Sequence, residues 1–341
     1  MAKSTNQEKV APKNKKKATA KTNPQQEKQS SLISNNDRLR INIPWSELKK
    51  PYQKTINDYA KSMKIEGFRQ GKVPASIVEK QISLEKVAEV ILKEILPKKY
   101  VDALRQTKKQ AITAPEYHLV SLKKGEEWII EAHFCEAPQI NLKNYEAYIN
   151  NAKKAAAQFI KKQNEQNQEK NSVEKDKKAV KNKTTDQSAK ESDQAAKKLS
   201  PDQEQEVYYQ HILRELVINI RPSIGELLLR RETQAEFERF KEQLTSYKIS
   251  VEKYLEQRQI SLEELGNELA STVLNRLQID FILAAIARDR HLAVDEKSLN
   301  KALNEIKDEK LREQITGHQQ FLDSFKAQLL RRQTIESLLK N

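Results

Sequence analysis

The chain has 341 residues, 32% charged and 37% apolar, with a net charge of +14 and an isoelectric point near 9.4. Six glycines beside abundant Lys, Glu, Gln and Leu favour long helices over a sheet-rich core, and the positive surplus draws the chain toward polyanions such as RNA, DNA or anionic lipid. One cysteine excludes an intramolecular disulfide, the first thirty residues lack the apolar run of a secretory signal, and no run approaches the ~18 apolar residues of a membrane span.

Residues 1–36 hold eight Lys against two Glu, with Lys15, Lys16 and Lys17 in succession. So little apolar surface cannot offset chain entropy, and the segment reads as a disordered basic tail, either a loose tether to RNA phosphates or a dispensable extension. Leu39, Ile41 and Ile43 then alternate with Arg40 and Asn42, the period of a half-buried strand. Leu48, Tyr52, Ile56 and Met63 recur at helical steps over about Trp45–Met63, and Pro51 either opens the regular helix or kinks it. Two Gly and a Pro within Gly67–Pro74 break that helix into a tight loop.

A second helix is expected after the N-cap Ser83, running past Pro97 to Leu104. Tyr117–Leu122, the turn Lys123–Glu126, and alternating Trp128, Ile130, Ala132 and Phe134 read as a hairpin. Cys135 closes that apolar stretch and reads as a small buried hydrophobe. These elements make a small α+β domain over 37–150. Residues 151–200, with thirteen Lys against seven acids and few large apolar side chains, read as a flexible charged linker with transient helix in its Ala-Lys parts.

From Pro201 the pattern is helical throughout, an all-α domain over 201–341. Tyr208, Ile212 and Leu216 mark one helix; Pro222 is placed to open the next, through Phe237, Phe240 and Leu244. Ser250 is a candidate cap, and Ser261-Leu262-Glu263-Glu264 a capping box for a long helix to about Arg288. Leu292–Ile306 and Gln320–Leu339 supply two more. No HExxH, CxxC, GxGxxG or P-loop pattern occurs, so the sequence offers no metal, nucleotide or other cofactor site, and its carboxylates interleave with Lys and Arg as solvated helix faces do.

Gly67-Phe68-Arg69-Gln70-Gly71-Lys72-Val73-Pro74 resembles the ribosome-docking motif G-F-R-x-G-x-x-P of the trigger factor family. An aromatic beside a guanidinium at a loop tip combines apolar contact with recognition of a carboxylate or phosphate. The flanks resemble the family too, including Leu96-Pro97 and Pro138–Tyr145, as do Glu226–Arg231, Ile249–Leu255 and Ile282–Leu299 in the helical half. Two departures stand out. Gln70 occupies a position where the family commonly has Lys, and the place of the family's FKBP-like isomerase domain holds about 50 residues with one aromatic, Phe159, and no Gly.

The resemblance implies a multidomain architecture: an α+β ribosome-binding domain joined by the linker to an all-α client-binding domain. It implies a cytoplasmic, ATP-independent chaperone that contacts a ribosomal protein and nearby rRNA at the exit tunnel through Gly67, Phe68, Arg69, Gln70, Gly71 and Lys72. Nascent polypeptides would be held by apolar side chains, with Phe237, Phe240, Tyr247, Tyr254 and Phe325 as candidates. No cofactor or membrane is implied, and self-association of the free chain stays open. The alternatives are a basic nucleic-acid-binding protein and a family member that retains prolyl isomerase activity; a periplasmic chaperone would need the export signal that is missing.

Overall fold

The computed structural model describes residues 32–66, 68–69, 71–179 and 199–340. Most of the expected basic tail, the middle of the expected linker, and Gly67 and Gln70 therefore lie outside the described residues.

The first body is a three-stranded antiparallel sheet covered on one face by helices. Strands β2 (Asp37–Ile43), β3 (Glu116–Ser121) and β4 (Trp128–Phe134) lie in the order β2-β4-β3. The register Leu39↔Ala132, Ile41↔Ile130 and Ile43↔Trp128 puts the apolar set of both strands on one face, as the period of two requires. On that face pack helices α1 (Trp45–Ser62) and α3 (Leu84–Thr107) through Leu48, Tyr52, Ile56, Val87, Ile91 and Leu96. Pro51 and Pro97 sit inside continuous helices, so α1 starts at Trp45 and runs through its proline. The sequence reading misses α2 (Ala75–Gln81), whose seven residues bury Val78 alone and show too little periodicity to read.

The second body is helical apart from one two-residue strand, and it departs from the sequence reading in several places, among them a helix over Glu309–Gly317 that the pattern did not show. Helix α4 spans Tyr145–Ala179, so residues 151–179 are helical where composition suggests a linker, and the helix runs straight through the boundary expected at 150. The physical reason is a narrow buried stripe, Tyr145, Ile149, Ala152, Ala156 and Ile160. Its alanines look like low complexity in sequence, yet they let α4 lie close against α5 (Pro201–Ile220) in an antiparallel pair that buries Ile212 and Leu216. Leu199 N–H donates to Asn164 Oδ1 where the two helices converge, and a capping box between Ser200 and Gln203 starts α5.

Pro222 does not open a helix. Ile224–Gly225 forms the short strand β5, which pairs in parallel with β1 (Ile33–Ser34), and α6 (Glu226–Ser246) follows with Gly225 as its N-cap. Residues 32–36, assigned to the tail from composition, are thereby tied to the helical body. Ser250 and the Ser261/Glu264 box cap α7 (Val251–Arg258) and α8 (Leu262–Asp289) as expected. By length and hydropathy α8 could cross a membrane, but here Val273, Ile282, Leu283 and Ile286 form the centre of the helical core. Helices α9 (Glu296–Glu305), α10 (Glu309–Gly317) and α11 (Gln319–Lys340) complete the body. α11 is anchored by Leu338 and by two cations on its final carbonyls, Lys153 on Leu339 O and Arg290 on Ser337 O.

Candidate functional site

Two surfaces carry the candidate residues. The first is the loop between α1 and α2. Half-buried Ile65 on one side and buried Val73 on the other fasten it to the sheet-helix core. Between these anchors the backbone makes two successive turns, Phe68 N–H to Ile65 O at 3.1 Å and Lys72 N–H to Arg69 O at 2.9 Å. Gly71 sits third in the latter turn at φ +81°, a conformation that L side chains rarely adopt. A Cβ there would meet open space, so the demand for Gly is conformational and not steric.

Phe68 is 40% exposed at the tip, and Arg69 and Lys72 are exposed beside it. Among the described residues the Arg69 guanidinium has no hydrogen-bond or ion-pair partner, as is also true of Arg38, Arg40 and Arg105 in the same body, whereas most arginines of the helical body are paired. Arg230, Arg276 and Arg331, for example, hold Glu116, Glu232 and Asp280. An apolar ring and an unneutralised guanidinium, displayed on a loop whose ends are fixed, can engage a partner that offers an apolar pocket rimmed by an acceptor. Lys64 is exposed at the foot of the loop and adds to the positive charge.

The second surface is on the helical body. A groove of about 460 Å³ runs between α6 and α8, walled by Leu229, Phe237, Leu262 and Leu269 with Gly266 and Ala270 along one side. Thr233 presents in that wall a buried hydroxyl without a partner among the described residues. A second cavity of about 670 Å³, among α6, α8 and α11, has charged walls. There Arg276 bridges Glu232 and Glu236 at 3.1 and 3.0 Å, and Asp280 faces Arg331 at 3.2 Å without the alignment a hydrogen bond needs. Burial pushes the Asp280 carboxyl above its ordinary value, and Arg331 and Arg276 offset this in part.

The five aromatic candidates do not converge on one patch. Phe237 lines the first groove, with Lys241 Nζ 5.6 Å from its ring centroid. Phe240 and Tyr254 meet edge to face at 5.0 Å and largely satisfy each other. Tyr247 is 69% exposed just past the end of α6, and Phe325 is half-buried on α11. Leu262, Leu311 and Phe321 are exposed apolar side chains that the sequence reading did not single out. Leu262, Gly266 and Ala270 stand four residues apart in sequence, so a small-residue face on α8 was there to be read.

Comparison with known proteins agrees along the chain. Residues 25–170 match the family model described as bacterial trigger factor protein, and residues 172–340 the model for the C-terminus of the same protein. The trigger factor of Nocardia farcinica is 28% identical over 108 residues, 32% of this chain and 23% of that one. The trigger factor of Bdellovibrio bacteriovorus is 31% identical over 115 residues, 33% of this chain and 26% of that one. The chain thus aligns with about a quarter of the length of these curated relatives. A solved trigger factor chaperone, described for promiscuous substrate recognition in folding and assembly, superposes with a TM-score of 0.56 at 13% identity, covering 90% of this chain and 97% of that one.

Proposed function

Because the chain belongs to the trigger factor family, we propose that it is a ribosome-associated, ATP-independent chaperone that docks through the Phe68–Arg69 tip and receives nascent polypeptides on its helical body. The observation that carries this reading is the exposed Phe68 beside an Arg69 that has no partner among the described residues, between the packed residues Ile65 and Val73. Exposed Lys64 and Lys72 supply positive charge in the place of the Lys that Gln70 replaces. The net charge of +14 would speed encounter with ribosomal RNA in a salt-dependent way.

On the helical body, the α6–α8 groove suits aliphatic or aromatic side chains of an unfolded segment. Several such weak contacts on one frame hold a client while each one exchanges. Release follows as the client buries its own apolar surface, which needs no nucleotide. Prolyl isomerisation is not part of the proposal. Leaving it out is supported by the N-terminal and C-terminal family matches, which abut at residues 170 and 172. A cytoplasmic location belongs to the same reading.

The test is co-sedimentation with ribosomes. Phe68→Ala with Arg69→Ala is expected to abolish it and leave the circular dichroism spectrum unchanged. Undiminished binding by this variant would remove docking from the loop. Binding that soluble RNA competes away regardless of Phe68 would favour a general nucleic-acid-binding role.

A further inference from the structure

The two bodies keep separate cores. One is built around the β2–β4 face, and the other around Tyr145, Ile212, Ile282 and Leu338. The chain crosses between them through residues 137–144, which form no helix or strand, with Asn144 at φ +60°. Tyr145 is pinned to the end of α8 by its hydroxyl, which donates to Asp289 at 2.9 Å, so the crossing segment bends upstream of it.

Elsewhere the bodies meet through a small set of polar and close contacts. Ile33 and Ser34 pair with Ile224 and Gly225, and Ile224 N–H donates to Leu32 O at 2.9 Å. Asn36 Oδ1 accepts from Leu227 N–H at 2.7 Å and its Nδ2 donates to Glu226 at 2.7 Å, while on its own side of the seam the same Oδ1 accepts from the Cys135 thiol at 3.4 Å. Beside these, Arg231 donates to Ala114 O at 2.7 Å, and Arg230 pairs with Glu116 in partly solvated surroundings. Ile33 remains 39% exposed at the edge of the seam, while Ile224 and Cys135 are buried within it.

We propose that residues 32–36 are a releasable clasp, and that the first body swings about residues 137–144 when it opens. Bodies with their own cores, joined across a seam of a few hydrogen bonds, permit relative motion by default. The two bonds of Asn36 that cross the seam, to Leu227 N–H and to Glu226, share one side chain and are lost together, so the clasp opens as a unit and not by fraying. Opening separates the loop tip from the α6–α8 groove as two rigid pieces. The inference stands apart from what the loop binds, because it concerns the seam alone.

Two native probes read it. The amides of Ile224 and Leu227 are held across the seam by Leu32 O and Asn36 Oδ1, and Cys135, the sole thiol, is 2% exposed beneath it. In the full chain, both amides are expected to exchange together, and Cys135 to react with a thiol reagent, through an opening far less denaturant-dependent than global unfolding. Asn36→Ala is expected to raise these rates about five- to tenfold, the effect of one lost helix cap, and to leave interior amides of α6 unchanged. Arg231→Ala, which removes a separate seam bond, is expected to raise them too and serves if the first variant fails to fold. Cys135 reacting with the full denaturant dependence of global unfolding, or at a rate that neither substitution changes, would overturn the clasp.

Discussion

Asn36 caps a helix that begins 190 residues later: its Oδ1 accepts the Leu227 amide of α6 at 2.7 Å. Gly225, the residue at the N-cap position, has no side chain to do so, and the chain before β2 supplies the missing acceptor. Asn36→Ala is expected to cost about 1 kcal/mol in urea unfolding. Asn36→Asp is expected to cost more at neutral pH than at pH 4, because its carboxylate would face Glu226 where the Asn36 amide now donates to it. Equal losses at both pH values would discard this account of the cap.

Gly225 lies directly against Cys135, and a Cβ on it would run into the thiol. Gly225→Ala is therefore expected to cost about 1–3 kcal/mol by overpacking. Cys135→Ala removes the sulfur, so the double variant is expected to lose less than the sum of the singles. Strict additivity in a double-mutant cycle would place the clash elsewhere.

Gly71 is required by its backbone angle alone. Gly71→Ala is expected to cost about 1–2 kcal/mol, the left-handed penalty, and to weaken ribosome co-sedimentation without touching Phe68 or Arg69. Gly71→Asn, which tolerates positive φ better, is expected to recover most of both losses. A loop insensitive to either substitution would show that the turn is not what presents the tip.

Gly266 gives the opposite result. Nothing lies within 4 Å of a Cβ placed there, and the residue sits in the second turn of α8. Gly266→Ala is expected to stabilise the protein by about 0.5–1 kcal/mol through helix propensity. Gly266→Leu would fill the groove beside Phe237 and is expected to weaken capture of an unfolded model substrate at unchanged or higher stability. Unaltered capture would remove the groove from the client surface.

Asp280 carries a pH signature of defined sign. Its folded pKa is raised, chiefly by burial, so the native state binds the proton more tightly than the unfolded chain does. The contribution of this group to stability is then full below the unfolded value of about 3.9 and is lost as pH rises through the higher folded value. The stability of the native protein relative to Asp280→Asn is expected to fall across that window, as chemical denaturation at a series of pH values would measure. A rising difference would mean that Arg331 and Arg276 outweigh burial.

The elements that rest on local chemistry were legible in the chain. Alternation in Leu39–Ile43 and Trp128–Phe134 gave the two long strands. Ser83, Ser250 and Ser261 marked helix starts, because a hydroxyl at an N-cap satisfies amides three residues away whatever surrounds it. The tip of the α1–α2 loop was legible for the same reason, since Gly71 and Pro74 punctuate the backbone locally.

What sequence alone determined, then, is the set of elements whose hydrogen bonds close within a few residues, and the exposed Phe68–Arg69 pair they display. Tertiary structure decided the rest. It made a core helix of the alanine-rich stretch after residue 150, kept Pro222 out of a helix by pairing Ile224 with Ile33, and gave α6 a cap from Asn36. Each of those outcomes is an interaction between residues far apart in the chain, and its energy exists only once folding has brought the partners together.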